Sequence, residues 1–391
     1  MTTDAPLLVT CEDVAWFRDE PESARGAAAA LGRRVGLGDR RTAELVLATT
    51  ELATNVRKHS TDGSILLRVV RTPQVAGVEL VVTDGGPGIA DVPAALRDGM
   101  STTGTLGIGL GAVTRLADVF DVHSRPGHGT LQLARFWPRP LAFPPDAEPA
   151  VGGLTRPISG EVVCGDAWGA KTDPGDAEPT EAPLRRRSPD GAVDWAALTG
   201  TAPAAAGNGQ RRARPVHSAT PGTEEATLVM MCDGLGHGPM AALAGQAALK
   251  AFRTGRARMP DQIIQEMHRA LHGTRGVAAA VVRIEPRNGR LLFCGVGNIT
   301  AALVTSQTRG NLLSHPGIVG GRPMPSLRTY EHSLPEHGAL VMHSDGLNER
   351  WTPADLAGLL PHRPPTIAAG LLRLAGTRRD DASVVVAKDL W

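Results

Sequence analysis

The hydrophobic pattern of residues 1–137 switches between a strand period and a helix period. LLVTC reads as a short strand, and helical spacing follows from about Glu12 to Arg34 across an interruption at Pro21. A second helix is expected to begin at Asp39, in position to cap it, and to run through AELVLATTELATNVRKH. SILLRVVR and GVELVVTD are rich in β-branched residues and are joined by TPQVAG, a hairpin signal. GLGAVTRLADVF has helical spacing, and VFDVHSRPGHGTLQLARFW reads as a closing hairpin. Residues 138–150, PRPLAFPPDAEPA, carry neither period and are crowded with proline, so they read as a domain linker.

From Val151 a second pattern begins. The strands TLVMMC, VAAAVVRIE, RLLFCGVG, ITAALVT, ALVMHS and SVVVAK are expected, with helices at about Pro239–Arg253 and Pro260–His272. Residues 172–224 interrupt it with Pro, Gly, Ala, Thr and charge but few large apolar residues. That composition predicts a disordered insertion within a domain spanning 151–391.

A length of 391 residues agrees with more than one domain. Lys and Arg number 41 against 40 Asp and Glu, a formal net charge of +1, which argues against a protein that coats nucleic acid or an anionic membrane. Aromatic residues are only 3% of the chain, so the cores must rest on Val, Leu, Ile and Ala. The four cysteines are widely spaced, which supports neither a disulfide scaffold nor a zinc site, and Cys164, Cys232 and Cys294 read as small core residues. MTTDAPLLVTCED lacks the pattern of a signal peptide and no apolar run is long enough to span a membrane. The expected location is cytoplasmic.

Three features of the first domain point to a nucleotide. Glu51, Asn55 and His59 recur every four residues and so share one helical face. The strand VELVV ends in Thr83-Asp84-Gly85-Gly86-Pro87-Gly88, a carboxylate followed by glycines that admit close approach of a ligand to the backbone. GTLGIGLG, residues 104–111, opens a helix with glycine-rich backbone suited to phosphate. It is neither a dinucleotide fingerprint nor a Walker A loop, and each feature alone is weak.

Together and in this order they resemble the GHKL ATPases, specifically the anti-sigma and stressosome serine kinases of the RsbT/RsbW/SpoIIAB type. ELATNVRKH matches the N box, TDGGPGI and GTLGIGLGA the two glycine boxes, and GHGT the closing strand with Thr130. The resemblance implies ATP with Mg²⁺ as cofactor: Asn55 on the ion, Asp84 on the adenine amino group, and Gly86, Gly88, Gly107, Gly109, Gly111 and Thr130 shaping the site. Glu51 is then the catalytic carboxylate that orients or deprotonates an attacking serine hydroxyl.

In the second region, aspartates adjoin strands in GEVVCGDAW (Asp166), DGLGHGPMAA (Asp233, Gly234), SDGLNE (Asp345) and RDDAS (Asp380). Clustered carboxylates repel one another unless a cation neutralises them, and oxygen ligands select Mg²⁺ or Mn²⁺ over zinc. With CGVGNI, these motifs resemble the SpoIIE-like branch of the metal-dependent PPM protein phosphatases, nearest the RsbX type. The resemblance implies a two-metal hydrolysis of phosphoserine or phosphothreonine, with Asp166, Asp233, Gly234, Asp345 and Asp380 holding two Mn²⁺ or Mg²⁺. Trp168 stands where many members place a histidine, and His237 and Glu161 lie close by in sequence without a fixed role.

The implied fold class is α+β: a Bergerat (GHKL) α/β sandwich followed by a PPM-type αββα sandwich. The implied function is a bifunctional partner-switching regulator whose partner is a STAS-domain anti-sigma antagonist or stressosome protein, with a sigma factor as a further partner. The alternative is an N-terminal domain that only binds ATP or sigma factor, leaving the phosphatase as the sole enzyme.

Overall fold

The computed structural model describes residues 7–18, 20–60, 62–97, 109–141, 143–144, 147–175, 214–215, 225–324 and 326–391. Gly107, most of the second glycine box and most of the expected insertion lie outside the described residues.

The chain begins with β1 (Thr10–Phe17), α1 (Ala24–Arg34), α2 (Asp39–His59), β2 (Ser64–Arg71) and β3 (Ala76–Asp84). It continues with α3 (Val92–Ala95), α4 (Gly109–Leu116), β4 (Val119–Ser124) and β5 (Thr130–Phe136). These strands form one antiparallel sheet in the order β1-β2-β3-β5-β4. Ile65, Leu67, Val78, Leu80 and Val82 point to one face, where they pack with Leu45, Leu52 and Val56 of α2.

Three expectations need correction here. Residues 12–17 continue the strand rather than start a helix, because extended backbone lets Phe17 join the helix-side core while Val14 and Trp16 face the other way. Gly38, not Asp39, is the N-cap of α2, and Asp39 is the first helical residue, where its charge meets the positive end of the helix dipole. The α4 pattern stops at Leu116, and Val119 and Phe120 belong to β4.

The second half holds β6 (Val151–Arg156), β7 (Ala167–Asp173), β8 (Arg214–Pro215), β9 (Ala226–Gly234), α5 (Pro239–Thr254), α6 (Pro260–Ala270) and β10 (Val277–Glu285). There follow β11 (Arg290–Val296), β12 (Thr300–Val304), β13 (Arg309–Leu312), β14 (Ser314–His315), β15 (Tyr330–Ser333), β16 (Ala339–His343), α7 (Pro353–Ala357), α8 (Pro364–Ala375) and β17 (Ala382–Lys388). One sheet runs β7-β9-β10-β11-β15-β8 with β14 beside β11, and the other runs β13-β12-β16-β17-β6. Their facing surfaces, including Val229, Met231, Val282, Leu340, Met342 and Val385, make the central core. α5 and α6 cover the outside of the first sheet and α8 the outside of the second.

Thr172 and Asp173, expected in the insertion, complete β7, and Asp173 pairs with Arg258 at 2.7 Å and with Arg283. Cys232 and Cys294 are buried as expected, whereas Cys164 is half-buried in the loop before β7.

α8 is apolar on nearly every side, with Ile367, Ala368, Ala369, Leu371, Leu372 and Ala375 all buried. Such a helix needs cover all round, and it has it: Val384 and Val386 of β17 lie on one side, and Leu66, Val81, Leu131 and Leu133 of the N-terminal sheet on the other. At this junction Glu79 bonds Arg68 (2.6 Å) and Arg135 (2.7 Å), all fully buried, and Arg68 donates onward to the Gly153 carbonyl of β6. Of the proline-rich segment, Leu141 and Phe143 pack near Trp137, and Glu148 pairs with Arg363. No helix among the described residues is long and apolar enough to cross a membrane.

Candidate functional site

In the N-terminal domain, α2 carries Glu51, Asn55 and His59 along one side, while β3 delivers Asp84 to the helix end. Glu51 Oε1 accepts the backbone N–H of Gly109 at 3.3 Å, which ties α2 to the start of α4. Asp84 is buried and accepts the Gly86 N–H at 2.8 Å. Burial raises its pKa, while that hydrogen bond and the charge of Arg373 work in the opposite direction. Gly129 and Gly86 are glycines for a steric reason: a Cβ at Gly129, already at φ +82°, would overlap the Asp84 carbonyl, and one at Gly86 would overlap the His59 carbonyl.

Thr130 is paired with Asp84 in the β3–β5 register, and its hydroxyl meets Ser124 Oγ at 3.0 Å. Ser124 accepts the Ile89 N–H at 2.8 Å, so it braces the loop that holds Gly88. Asn55 is half-buried. Asp84, Gly86, Gly88 and Thr130 thus gather at one end of the sheet, which α2 reaches through the His59 carbonyl beside Gly86, and Gly109 and Gly111 lie in the first turn of α4. Sequence reasoning missed Ser124, which precedes the RPGHGT turn without a motif of its own, and Arg373, which reaches Gly85 from α8.

The C-terminal aspartates come from both sheets. Asp233 is the last residue but one of β9, Asp166 immediately precedes β7, Asp345 follows β16, and Asp380 precedes β17. β16 and β17 run antiparallel, which brings the end of one beside the start of the other. Asp233 lies within hydrogen-bonding reach of Asp166 and Asp345. Burial, then the charges of Asp345 and Asp380, push the Asp233 carboxyl up to about 7. Burial and Asp233 drive Asp166 well above the carboxylate range, and burial and Asp380 raise Asp345.

Asp166 Oδ2 accepts from Ser344 Oγ at 2.7 Å, and its Oδ1 is buried with no partner. Asp345 Oδ2 accepts from Asn298 Nδ2 at 2.7 Å. Asp381 is spent on structure, accepting the N–H groups of Ile158 (2.7 Å) and Gly165 (2.6 Å), so Asp380 is the more open carboxylate of the pair. A Cβ on Gly234 would overlap the Ala241 carbonyl, which keeps this backbone tight against α5.

Among the described residues no three His, Cys, Asp or Glu side chains form a ready-made coordination group. The donor chemistry nevertheless fits a hard dication: oxygen donors, mutual repulsion, and one buried carboxylate oxygen, Asp166 Oδ1, without a partner. Trp168 is buried between the sheets, and His237 contacts Glu161 at 3.4 Å beside Gly238, the N-cap of α5. Asn298 lies in the recognised GVGNI motif and Ser344 directly precedes Asp345, but neither spacing reveals the side chain it orients.

Comparison with known proteins gives two matches in order along the chain. A histidine kinase-like ATPase domain model matches residues 18–135, and the stage II sporulation protein E (SpoIIE) model matches residues 223–388. The chain is 38% identical over 117 residues to the serine/threonine-protein kinase RsbT of Bacillus subtilis (strain 168), spanning 29% of this chain and 88% of that protein. It is 24% identical over 122 residues to the phosphoserine phosphatase RsbX of the same organism, 31% of this chain and 61% of that protein, so it spans less than two thirds of RsbX.

Among solved structures, RsbX in complex with magnesium is 17% identical with a TM-score of 0.42, covering 60% of this chain and 92% of that one. The PP2C domain of Bacillus subtilis SpoIIE with a fragment of its regulatory domain is 12% identical with a TM-score of 0.41, covering 80% and 79%. The architecture is a GHKL-like N-terminal domain and a PP2C-like C-terminal domain. These family types imply ATP and metal ions.

Proposed function

We propose, for a chain that belongs to the RsbT family of serine/threonine-protein kinases and carries a SpoIIE-type phosphatase domain behind that module, a bifunctional partner-switching regulator. Its C-terminal domain is a Mn²⁺- or Mg²⁺-dependent phosphatase for phosphoserine or phosphothreonine, and its N-terminal domain binds ATP with Mg²⁺ and phosphorylates a serine or threonine. The substrate of both is a STAS-domain anti-sigma antagonist or stressosome protein, met in the cytoplasm.

The observation that carries the phosphatase reading is the four-carboxylate cluster with its orphaned Asp166 oxygen. Asp166, Asp233, Asp345 and Asp380, with the Gly234 carbonyl, hold the two ions. When bound, the ions supply an activated water and neutralise phosphoryl oxygens. Ser344 fixes the orientation of Asp166, and Asn298 that of Asp345. In the first domain Asp84 accepts from the adenine amino group, Asn55 ligates Mg²⁺, and Glu51 takes the substrate hydroxyl proton after releasing the Gly109 N–H.

Two assays on the full-length protein test this. Phosphate release from a phosphorylated STAS protein with Mn²⁺ should fall at least about a hundredfold in Asp233→Ala. Label transfer from radioactive ATP to the unphosphorylated STAS protein should vanish in Glu51→Ala. Undiminished release in the first variant refutes the phosphatase site. ATP binding without transfer in the wild type reduces the N-terminal domain to a binding module.

A further inference from the structure

Across β3 from Asp84 lies a second feature. Successive strand residues face opposite sides, so while Asp84 serves the nucleotide end, Thr83 points to a crevice of about 130 Å³ between the domains. The N-terminal domain contributes Arg18, Asp62, Ser64 and Thr83, and the C-terminal domain contributes Arg156, Arg373 and Arg378. We propose that this crevice binds a small phosphate anion, gripped by the guanidinium groups of Arg156, Arg373 and Arg378.

The charge count points to an anion. Four guanidinium groups line the crevice, and Asp62 is the one carboxylate among its described lining residues. Asp62 pairs with Arg378 at the exposed mouth, leaving Arg156 deeper inside. Arg156 is half-buried and donates to the Thr377 carbonyl, which accepts a hydrogen bond but carries no countercharge. Burial first, then the charges of Arg18 and Arg378 nearby, pull it down to about 10.

Guanidinium forks match phosphate oxygens in pairs, so crowded arginines on a concave wall suit this ligand better than a carboxylate. The hydroxyls of Ser64 and Thr83, 3.0 Å apart, add neutral donors on the opposite wall. Concavity, mixed donors and excess positive charge distinguish the crevice from a scatter of surface arginines.

Its position gives binding a consequence. Arg373 lies against Gly85, next to Asp84, while Arg156 donates to the 376–381 loop, which itself carries Arg378 and Asp380. A phosphate held here touches the support of the nucleotide site and the loop of the aspartate cluster together. Binding itself depends on neither activity of the chain.

Calorimetric titration of the full-length protein tests the proposal, using inorganic phosphate and, separately, pyrophosphate. EDTA in the buffer removes divalent ions, so the aspartate cluster contributes only repulsion. We expect one anion per chain, an affinity weakened roughly tenfold by Arg156→Gln and by Arg378→Gln, and one strengthened several-fold by Asp62→Asn. Tighter binding of pyrophosphate assigns the crevice to a diphosphate group, and tighter binding of phosphate to the free monomeric anion. No binding at millimolar concentrations, or an affinity unmoved by all three substitutions, overturns the proposal. The Asp62→Asn gain keeps the test decisive even where an arginine variant folds poorly.

Discussion

At the scale of single residues, Ser344 and Asn298 hold the carboxyls of Asp166 and Asp345 through hydrogen bonds of 2.7 Å. Asp166, Asp233, Asp345 and Asp380 stand out because each follows or precedes a strand in a motif with glycine or serine. Ser344, Asn298 and Ser124 act through hydrogen bonds to residues far away in sequence, and a one-dimensional pattern does not encode those pairings. The same is true of Asp121, which holds the domains together: its carboxylate accepts from His362 Nδ1 at 2.8 Å and from the Arg363 N–H, at the start of α8, at 3.1 Å. These bonds overcome the effect of burial and hold its pKa at about 2. A carboxyl depressed in the fold stabilises it above its unfolded pKa and loses that stabilisation as pH falls through the folded value. Acid titration of the wild type should therefore lose on the order of 2 kcal/mol from this group between about pH 4 and pH 2. Asp121→Asn should flatten the denaturant-midpoint curve in that window, and identical curves would remove Asp121 from the interface.

At the scale of elements, strand patterns read well where apolar and β-branched residues run together, as in the β2–β3 hairpin and in the separate strands β9 and β10. Residues from Glu12 read as helix because EDVAWF has no clean period until its pairing with β2 assigns Val14 and Trp16 to one face and Phe17 to the other. Residues 364–375 carry no helix signal in the sequence, because PPTIAAGLLRLA lacks the polar face by which a surface helix is recognised. α8 lacks that face because it packs against two sheets. Its Gly370 marks the tightest approach: a Cβ there would stand 2.5 Å from Leu359 Cδ1 and 3.1 Å from Leu131 Cδ1 of the N-terminal sheet. Gly370→Val should cost about 1–3 kcal/mol by overpacking, despite the gain in helix propensity. Chemical denaturation reads this directly, and a stabilised variant would mean that the N-terminal sheet does not press on α8.

At the scale of the molecule, two families joined in one chain were legible from their ordered motifs, but their shared core was not. The resemblance treats the modules as separate, and contacts between them leave no local signature. Leu66, Val81, Leu131 and Leu133 cover α8, and the buried Arg68–Glu79–Arg135 row reaches Gly153, so neither domain's surface is complete alone. Leaving such charges buried without partners is strongly unfavourable, which argues against easy separation. Calorimetric heating of the intact, metal-free protein should show one cooperative transition, and two well-resolved ones would contradict a common core. Manganese titration, followed by the electron paramagnetic resonance signal of the free ion, tests the aspartate cluster most directly. Wild-type protein should take up two Mn²⁺ per chain without nucleotide, and Asp233→Asn should retain neither at micromolar concentrations. Equal uptake by the variant and the wild type would contradict a phosphatase centre built on these carboxylates.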